Sequence, residues 1–210
     1  MLGTAIFESS GAILLATRFV PMFGWGKGVY YAVWHSVSAF CNAGFDLMGT
    51  QGAKFVSFTG QATDPVITLT LAFLIIVGGL GFVVWSDIKD NGLKFSRYGV
   101  YTKVMLVSTA GLLTVSTVLF MIFERNNPTY VGYTFGQKLL VAFFNAATPR
   151  TAGFNTTDLF SLSDSGYLLT VVLMFIGGGS GSTAGGVKVG TMAVIVMGMV
   201  AAFKGKKDVT

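Results

Sequence analysis

The sequence predicts an all-α membrane protein built from two similar halves, and three observations support this. Hydrophobic residues make up 52% of the 210 residues and charged residues only 11%, whereas soluble domains carry roughly 25% charged residues. Several stretches with few or no charges reach the roughly 20 residues that a helix needs to cross a bilayer. A motif, Ala-Gly-Phe followed by Asp or Asn, occurs twice, at residues 43–46 and 152–155. Because a repeated motif indicates a repeated architecture, we divide the chain into repeats at residues 1–97 and 98–210.

The first repeat begins with a predicted membrane span at residues 1–20, which contains Glu8. A carboxylate inside a membrane is costly, so Glu8 either lies near the headgroups, is paired with a basic residue, or has a function. Residues 21–27 are rich in glycine and aromatic residues, which predicts a turn. The next apolar run, residues 28–41, is short and contains His35. We predict that this lone histidine is a hydrogen-bonded structural residue and not a ligand.

The apolar run before the second motif, residues 139–148, is too short to cross a bilayer. By symmetry, we predict that this run and residues 28–41 are helices that cross only half of the membrane. The clearest predicted span is residues 65–86, which carry no charge and have Pro65 in the first helical turn. A second uncharged span is predicted at residues 104–123. Each repeat is therefore a span, a half-crossing helix, a glycine-centred loop and a second span.

The last apolar stretch, residues 165–203, is interrupted by the glycine-rich residues 177–190. One interpretation is a flexible kink that lets helices pack, and another is a loop inside the membrane. A phosphate-binding loop is disfavoured, because that pattern ends in Gly-Lys-Ser or Gly-Lys-Thr. Here Val187 separates Gly186 from Lys188. We expect Lys188 to be exposed toward the cytoplasm.

Basic residues predict the orientation of the chain. Lysine and arginine are concentrated in residues 87–103 and in the tail at residues 204–207. The positive-inside rule places this central connector and the termini in the cytoplasm, so we predict a multi-pass protein of the plasma membrane. The net charge of +5 comes mostly from residues that flank apolar runs, so no nucleic-acid partner is predicted. One histidine, one cysteine and nine scattered acidic residues offer no triad or metal cluster, which argues against an enzyme and leaves no catalytic residue.

The two motifs have the composition of a pathway for a cation. A cation that crosses a membrane must exchange its water shell for protein oxygens, which backbone carbonyls supply without fixed charge. Glycine at the loop centre permits the unusual backbone angles that bring such oxygens together. The C-terminal end of the preceding helix carries about half a negative charge and would face the ion. Residues 42–45 and 151–154 meet these demands. The interrupted last stretch leaves open a second interpretation, an ion-coupled secondary transporter with a substrate site at a broken helix.

Three segments resemble the Trk/Ktr/HKT superfamily of potassium transporters, and in particular its bacterial Ktr membrane subunits. They are HSVSAFCNAGFD at residues 35–46, ATPRTAGFNT at residues 147–156 and GGGSGSTAGGVKVGT at residues 177–191. The resemblance covers essentially the whole chain. It implies potassium uptake through four span–pore-helix–span repeats around one pseudo-fourfold pore. The present chain matches the second and third repeats, which is half of such a cation pore.

The resemblance also implies the residues of the site. Backbone carbonyls from each repeat form a selectivity filter, and Gly44 and Gly153 match the glycine that favours K⁺ over Na⁺. The metal ion expected is K⁺ at this filter, as the transported ion, with no bound organic cofactor. The expected filter residues are Asn42, Ala43, Gly44, Phe45, Thr151, Ala152, Gly153 and Phe154. The glycine-rich segment corresponds to the family's gate. The expected gate residues are Gly177, Gly178, Gly179, Ser180, Gly181, Ser182, Thr183, Ala184, Gly185, Gly186 and Lys188.

Partners follow from the same resemblance. It implies a homodimer of membrane subunits in the lipid bilayer, docked on a cytosolic nucleotide-binding regulatory ring, with transport by a channel-like protein or a symporter. Two loops cannot enclose a fourfold filter. Either the missing repeats lie outside this sequence, which the abrupt start in apolar sequence favours, or two copies meet around one axis. Beside the second motif, Arg150 is expected to fix the loop by bonding nearby carbonyls or a carboxylate.

Overall fold

The computed structural model describes residues 2–51, 54 and 56–204, and it is helical. Within these residues the β-structure is limited to one isolated bridge between Ile176 and Val187. Two helical stretches, Gly3–Phe23 and Val100–Phe123, are long and apolar enough to cross a membrane. The α-helices of the described residues are α1 Leu2–Phe23, α2 Trp25–Phe40, α3 Pro65–Leu80, α4 Phe82–Asn91, α5 Val100–Phe123, α6 Phe135–Ala147, α7 Asp164–Phe175 and α8 Val189–Phe203.

The first two helices form a tight antiparallel hairpin. Helix α1 continues through Pro21, so the predicted turn at residues 21–27 is reduced to Gly24, whose φ of 82° favours glycine. Close approach explains a second glycine, because a Cβ on Gly28 would lie 2.6 Å from the Phe19 carbonyl oxygen. Helix α2 has 16 residues, which span roughly 24 Å at 1.5 Å per residue. It is therefore shorter than a membrane crossing, as the sequence predicts.

The predicted span at residues 65–86 is not one continuous helix. Helix α3 ends at Leu80, and α4 leaves it at an angle of 92°. The cause is Gly81, whose φ of 92° no helix accommodates. The freed Val77 carbonyl accepts a hydrogen bond of 3.1 Å from the Trp85 indole N–H. Other groups at this break bind the glycine-rich segment, as described below.

The second repeat follows the predicted order. Helix α6 begins at Phe135, earlier than predicted, because Thr134 and Gln137 form a capping box at its N-terminus. Its 13 residues span roughly 20 Å, so it too is shorter than a membrane crossing. Beyond it, α7 and α8 are separated by the glycine-rich segment at residues 177–188, which is not helical.

Aromatic side chains from both repeats form the core around α2 and α6. Phe40 and Phe144, from the two half-crossing helices, are fully buried in it. The His35 ring lies 5.0 Å from the Phe58 ring and 5.5 Å from the Phe19 ring, centroid to centroid. The two repeats therefore share one core and pack as a unit.

A buried carboxylate joins the ends of α5 and α7. Glu124 is 1% exposed and accepts hydrogen bonds from the Ser163 N–H at 3.1 Å, the Ser163 hydroxyl at 2.6 Å and the Asn127 amide at 2.6 Å. Ser163 is also the N-cap of α7. A negative charge at a helix N-terminus is stabilising, so Glu124 holds the start of α7 against the end of α5.

Replacing Glu124 by alanine should lower the free energy of unfolding by about 2–3 kcal/mol, because it strands the buried donors of Ser163 and Asn127. Glu124→Gln, which keeps the size and one acceptor oxygen, should cost less. The measurement is the thermal unfolding midpoint of the protein in detergent. Equal midpoints for Glu124→Ala and the unmodified protein would contradict this assignment.

Candidate functional site

The two glycine-centred loops contact each other. A Cβ on Gly44 would overlap the Ala152 carbonyl oxygen and lie 3.1 Å from the Gly153 Cα. A Cβ on Gly153 would lie 3.6 Å from the Gly44 Cα. The two predicted filter runs, residues 42–45 and 151–154, are therefore brought together backbone to backbone, although most of a repeat separates them in sequence.

The two loops also share an unusual backbone pattern. Asn42 and Gly44 have φ values of 50° and 71°, and Thr151 and Gly153 have φ values of 72° and 88°. A positive φ is uncommon for a residue other than glycine, and such strain clusters at functional sites. When residues with positive and negative φ alternate, successive peptide groups are rotated relative to each other. Their carbonyl oxygens can then point to the same side. Asn42 is thus equivalent to Thr151, and Gly44 to Gly153.

In the first repeat, side chains of α2 hold the segment that follows the loop. The Phe45 carbonyl accepts hydrogen bonds from the Ser38 hydroxyl at 2.8 Å and the Trp34 indole at 3.1 Å. His35 Nε2 accepts a bond of 3.1 Å from the Leu47 N–H, and its Nδ1 lies 2.7 Å from the Tyr31 carbonyl oxygen. Both contacts are satisfied when the proton is on Nδ1. His35 is a hydrogen-bonded structural residue, as the sequence predicts.

In the second repeat, side chains in and immediately after α6 hold the corresponding segment, although the residues differ from those in the first repeat. The Thr148 hydroxyl donates to the Phe154 carbonyl at 2.6 Å. The Asn145 amide lies 3.1 Å from the Thr157 hydroxyl and 3.2 Å from the Tyr130 hydroxyl. Burial raises the pKa of Tyr130, so its O–H stays protonated. These anchors were not predicted from the sequence, although polar residues on the buried face of a short apolar helix were the available signal.

The phenylalanines of the two motifs differ from the other expected filter residues. Both of their carbonyls are engaged by the preceding helix, through Ser38 and Trp34 in one repeat and Thr148 in the other. Their side chains also differ, since Phe45 is 70% exposed and Phe154 is 0% exposed. These two residues therefore anchor the loops to the helices that precede them.

The segment between α2 and α3 supports the second loop. Phe58 N–H donates to the Asn155 carbonyl at 2.9 Å, and Asn155 N–H donates to the Ser57 hydroxyl at 3.1 Å. Ser57 itself has a φ of 46°. The residue that ends the second motif is therefore fixed by the first repeat.

The glycine-rich segment folds into a narrow turn of backbone. Gly177 N–H donates to the Val187 carbonyl at 3.0 Å, and Val187 N–H donates to the Phe175 carbonyl at 3.1 Å. A Cβ on Gly177 would overlap the Gly185 carbonyl oxygen, and one on Gly178 would lie 2.6 Å from the Ala184 Cβ. Glycine is therefore required by close approach at these positions.

This segment fills the break between α3 and α4. Gly179 N–H donates to the Gly79 carbonyl at 2.8 Å, and Phe82 N–H donates to the Gly181 carbonyl at 3.3 Å. Tyr101 of α5 also binds the turn, through a bond of 2.8 Å from the Ser180 N–H to its hydroxyl. The backbone groups at the bend near Gly81 and those of the glycine-rich segment thus serve as hydrogen-bond partners for each other.

Two predictions about cationic side chains need correction. Lys188 was expected to be exposed, but its ammonium group donates to the Ala184 carbonyl at 2.6 Å and caps the turn. Arg150 was expected to bond carbonyls or a carboxylate, but it is buried against α5 and lies 3.4 Å from the Thr109 hydroxyl. Its Nε has no hydrogen-bond partner within the described chain. Arg150 therefore packs behind the loop.

The fold and this site define a class, helical membrane proteins built from span, half-crossing helix, glycine-centred loop and span. The sequence matches the family described as TrkH, cation transport protein, over residues 3–92 and 98–210. The chain belongs to this TrkH family of cation transport proteins, which confirms the resemblance and its assignment to transporters and not to enzymes.

Curated relatives agree. The chain is 45% identical over 206 residues to the Ktr system potassium uptake protein B of Vibrio alginolyticus, covering 97% of this chain and 44% of that protein. It is 43% identical over 201 residues to the potassium/sodium uptake protein NtpJ of Enterococcus hirae, covering 96% of this chain and 43% of that protein. The chain thus spans less than half the length of these relatives.

A solved structure has the same fold. The potassium transporter TrkH from Vibrio parahaemolyticus matches with a TM-score of 0.67 and 21% sequence identity. The match covers 93% of this chain and 39% of that one. This confirms the all-α membrane fold, and the arrangement of the two repeats with their half-crossing helices is consistent with it.

Proposed function

We propose that this chain forms half of a potassium pore and that the protein containing it takes up K⁺ across the plasma membrane. The observation that carries the proposal is the contact between Gly44 and Gly153 in two loops with the same alternation of φ. A dehydrated K⁺ needs several oxygens around it. The carbonyls of residues 42–44 and 151–153 supply these, and the carbonyls of Phe45 and Phe154 fix the loops to α2 and α6.

The glycine-rich segment is the proposed gate. It contacts both loops and fills the break between α3 and α4, so in this conformation it blocks the pathway next to the filter. Its close backbone contacts at Gly177 and Gly178 hold it in the packed arrangement, and opening in this proposal is its displacement from that position. The proposed gate consists of the eleven residues given above, with Lys188 holding the turn through Ala184.

The other half of the pore has a place to pack. The exposed face of α2 that carries Trp34 and Val37 forms an apolar surface together with Phe45 of the first loop. We propose that the missing repeats of the same transporter cover it. A homodimer, a cytosolic nucleotide-binding ring and cytoplasmic termini are further parts of this proposal, supported by the family and by the basic residues of the connector and tail, whereas symport belongs to the second candidate below.

The test of function is rubidium or potassium uptake by cells that lack their own uptake systems. The chain alone should give no uptake, and co-expression with the remainder of the transporter as a separate polypeptide should restore it. A tandem fusion of two copies of this chain is the matched comparison. Uptake by the fusion without the remainder would instead favour two copies around one axis, and no uptake with the remainder would overturn the proposal.

A secondary transporter is the second candidate, because both α3–α4 and α7–α8 are interrupted helices and such breaks form substrate sites. The discriminating measurement is the reversal potential of the complete transporter in liposomes. A channel-like pore should follow the K⁺ gradient alone. A reversal potential that also shifts with a Na⁺ or proton gradient would favour the coupled transporter.

A further inference from the structure

The hydroxyl of Thr183 in the glycine-rich segment bridges the end of α2 and the first loop. It donates to the Phe40 carbonyl at 2.9 Å and accepts from the Asn42 amide at 2.8 Å. A hydroxyl has one proton, so these two bonds define one consistent arrangement of donors and acceptors. Gly78 leaves the space for it, since a Cβ there would overlap the Phe40 carbonyl oxygen and lie 3.0 Å from the Thr183 hydroxyl.

A second bond joins the same segment to the second loop. The Gly185 N–H donates to the Thr151 hydroxyl at 3.1 Å. Thr151 and Asn42 are the equivalent first residues of the two alternating patterns, and both have a positive φ. The glycine-rich segment therefore binds the two loops at the same position of each, through side chains whose backbone is strained.

The Asn42 side chain has little else to hold it. Its Oδ1 is buried and has no hydrogen-bond partner within the described chain, so the bond to Thr183 sets the orientation of the amide. A non-glycine residue in the left-handed region persists only when its surroundings fix it. Loss of the Thr183 bond should therefore free Asn42 to change its backbone angles.

We propose that Thr183 is a positioning residue of the filter, which holds Asn42 in its present backbone conformation while the glycine-rich segment is closed. Displacement of the segment then breaks the bonds of Thr183 and Gly185 together and releases both loops. Opening thus alters which ions pass as well as how many. This inference rests on the proposed filter and gate, and it adds that the two are coupled through named side chains.

The test is Thr183→Val, which keeps the shape and removes the donor and acceptor, with Thr183→Ser as the matched control that retains the hydroxyl. Both are made in the complete transporter, reconstituted in liposomes at equal protein content. Under closed conditions we expect Thr183→Val to raise K⁺ flux about tenfold, the factor that about 1.4 kcal/mol produces, and to lower the ratio of K⁺ to Na⁺ flux. Thr183→Ser should keep both values.

The ratio of K⁺ to Na⁺ flux separates a positioning role from a merely structural one. If the substitution only loosens the segment and leaves the filter intact, K⁺ flux rises while the ratio of K⁺ to Na⁺ flux stays constant. Such a constant ratio would overturn the inference. In a double-mutant cycle, Thr183→Val should add nothing to the ion ratio of Asn42→Ala, whereas additive effects would contradict a shared bond. If Thr183→Val does not reach the membrane, Thr183→Ala can be used in its place, because it also lacks the hydroxyl and has no branched side chain. We expect the same results for it.

Failure of the coupling and failure of the gate give different results. Deleting Gly177, Gly178 and Gly179 should raise flux if the segment is a gate. If this deletion raises flux while Thr183→Val leaves flux and ratio unchanged, the coupling is wrong and the gate stands. If neither variant changes flux, both are wrong.

Discussion

Replacing Gly44 by alanine should abolish ion uptake in the complete transporter. The new Cβ would overlap the Ala152 carbonyl oxygen, which belongs to the rigid second loop. In addition, the φ of 71° costs alanine about 1–2 kcal/mol. Both effects act where the two loops touch, so neither loop can keep its position. The measurement is rubidium uptake normalised to transporter present in the membrane.

Gly153→Ala is the matched comparison, because its positive φ would strain the backbone of alanine but its Cβ would not overlap another atom. Its φ is 88°, but its Cβ would make an ordinary contact of 3.6 Å with the Gly44 Cα. We expect uptake to fall about tenfold, which corresponds to about 1.4 kcal/mol. Gly136→Ala near the start of α6, where a Cβ meets nothing within 4 Å, should have no effect. Equal uptake by Gly44→Ala and Gly136→Ala would contradict the contact as a functional feature.

Replacing Gly177 by alanine should open the pathway. The added Cβ would overlap the Gly185 carbonyl oxygen and lie 2.7 Å from its carbon and 3.0 Å from the Gly186 Cα. All of these are backbone atoms that cannot rotate away. The turn must spread, which breaks the pairing of Gly177 with Val187 and destabilises the closed arrangement. We expect ion flux under closed conditions to increase severalfold, measured in liposomes.

Gly198→Ala controls for a change of glycine elsewhere in the same interrupted span. It lies in α8, and a Cβ there meets nothing within 4 Å, so flux should be unchanged. If Gly177→Ala is present in the membrane at normal levels and its closed flux equals that of Gly198→Ala, then the segment does not block the pathway in this conformation.

The repeat and its half-crossing helices followed from the sequence because they depend on local properties. Apolar length predicted that α6 is too short to cross a membrane, and glycine followed by phenylalanine marked the loop after each short helix. That the two loops lie close together was expected from the resemblance, which implies that both belong to one filter. These features need no knowledge of which distant residues pack together.

The bend at Gly81 could not be predicted in the same way. Residues 65–86 are uniformly apolar, and glycine is tolerated within membrane helices when neighbours satisfy the backbone. Whether Gly78, Gly79 and Gly81 serve helix packing or a break depends on what lies opposite them. The partner is the segment around Gly179, a tertiary contact that no pattern within either stretch records.

The same limit explains the anchors. Ser38, Asn145 and Thr148 bind backbone carbonyls or hydroxyls that follow the loops, and the donor differs between repeats. A comparison of the two motifs alone therefore points to the glycines they share and not to the side chains that hold them. Lys188 was predicted wrongly for a related reason, because its partner is a carbonyl four residues earlier in a turn of unknown shape.

The backbone hydrogen bonds between the α3–α4 break and the glycine-rich segment have a consequence for biosynthesis. Chains are made and inserted from the N-terminus, so the peptide groups around Gly79 and Phe82 enter the membrane before Gly179 and Gly181 exist. Until residues 179–181 follow, those groups must bond to water or to another protein, or stay in a continuous helix. The hydrogen bonds that hold the right-angled bend between α3 and α4 are therefore complete only after residues 179–181 have been translated.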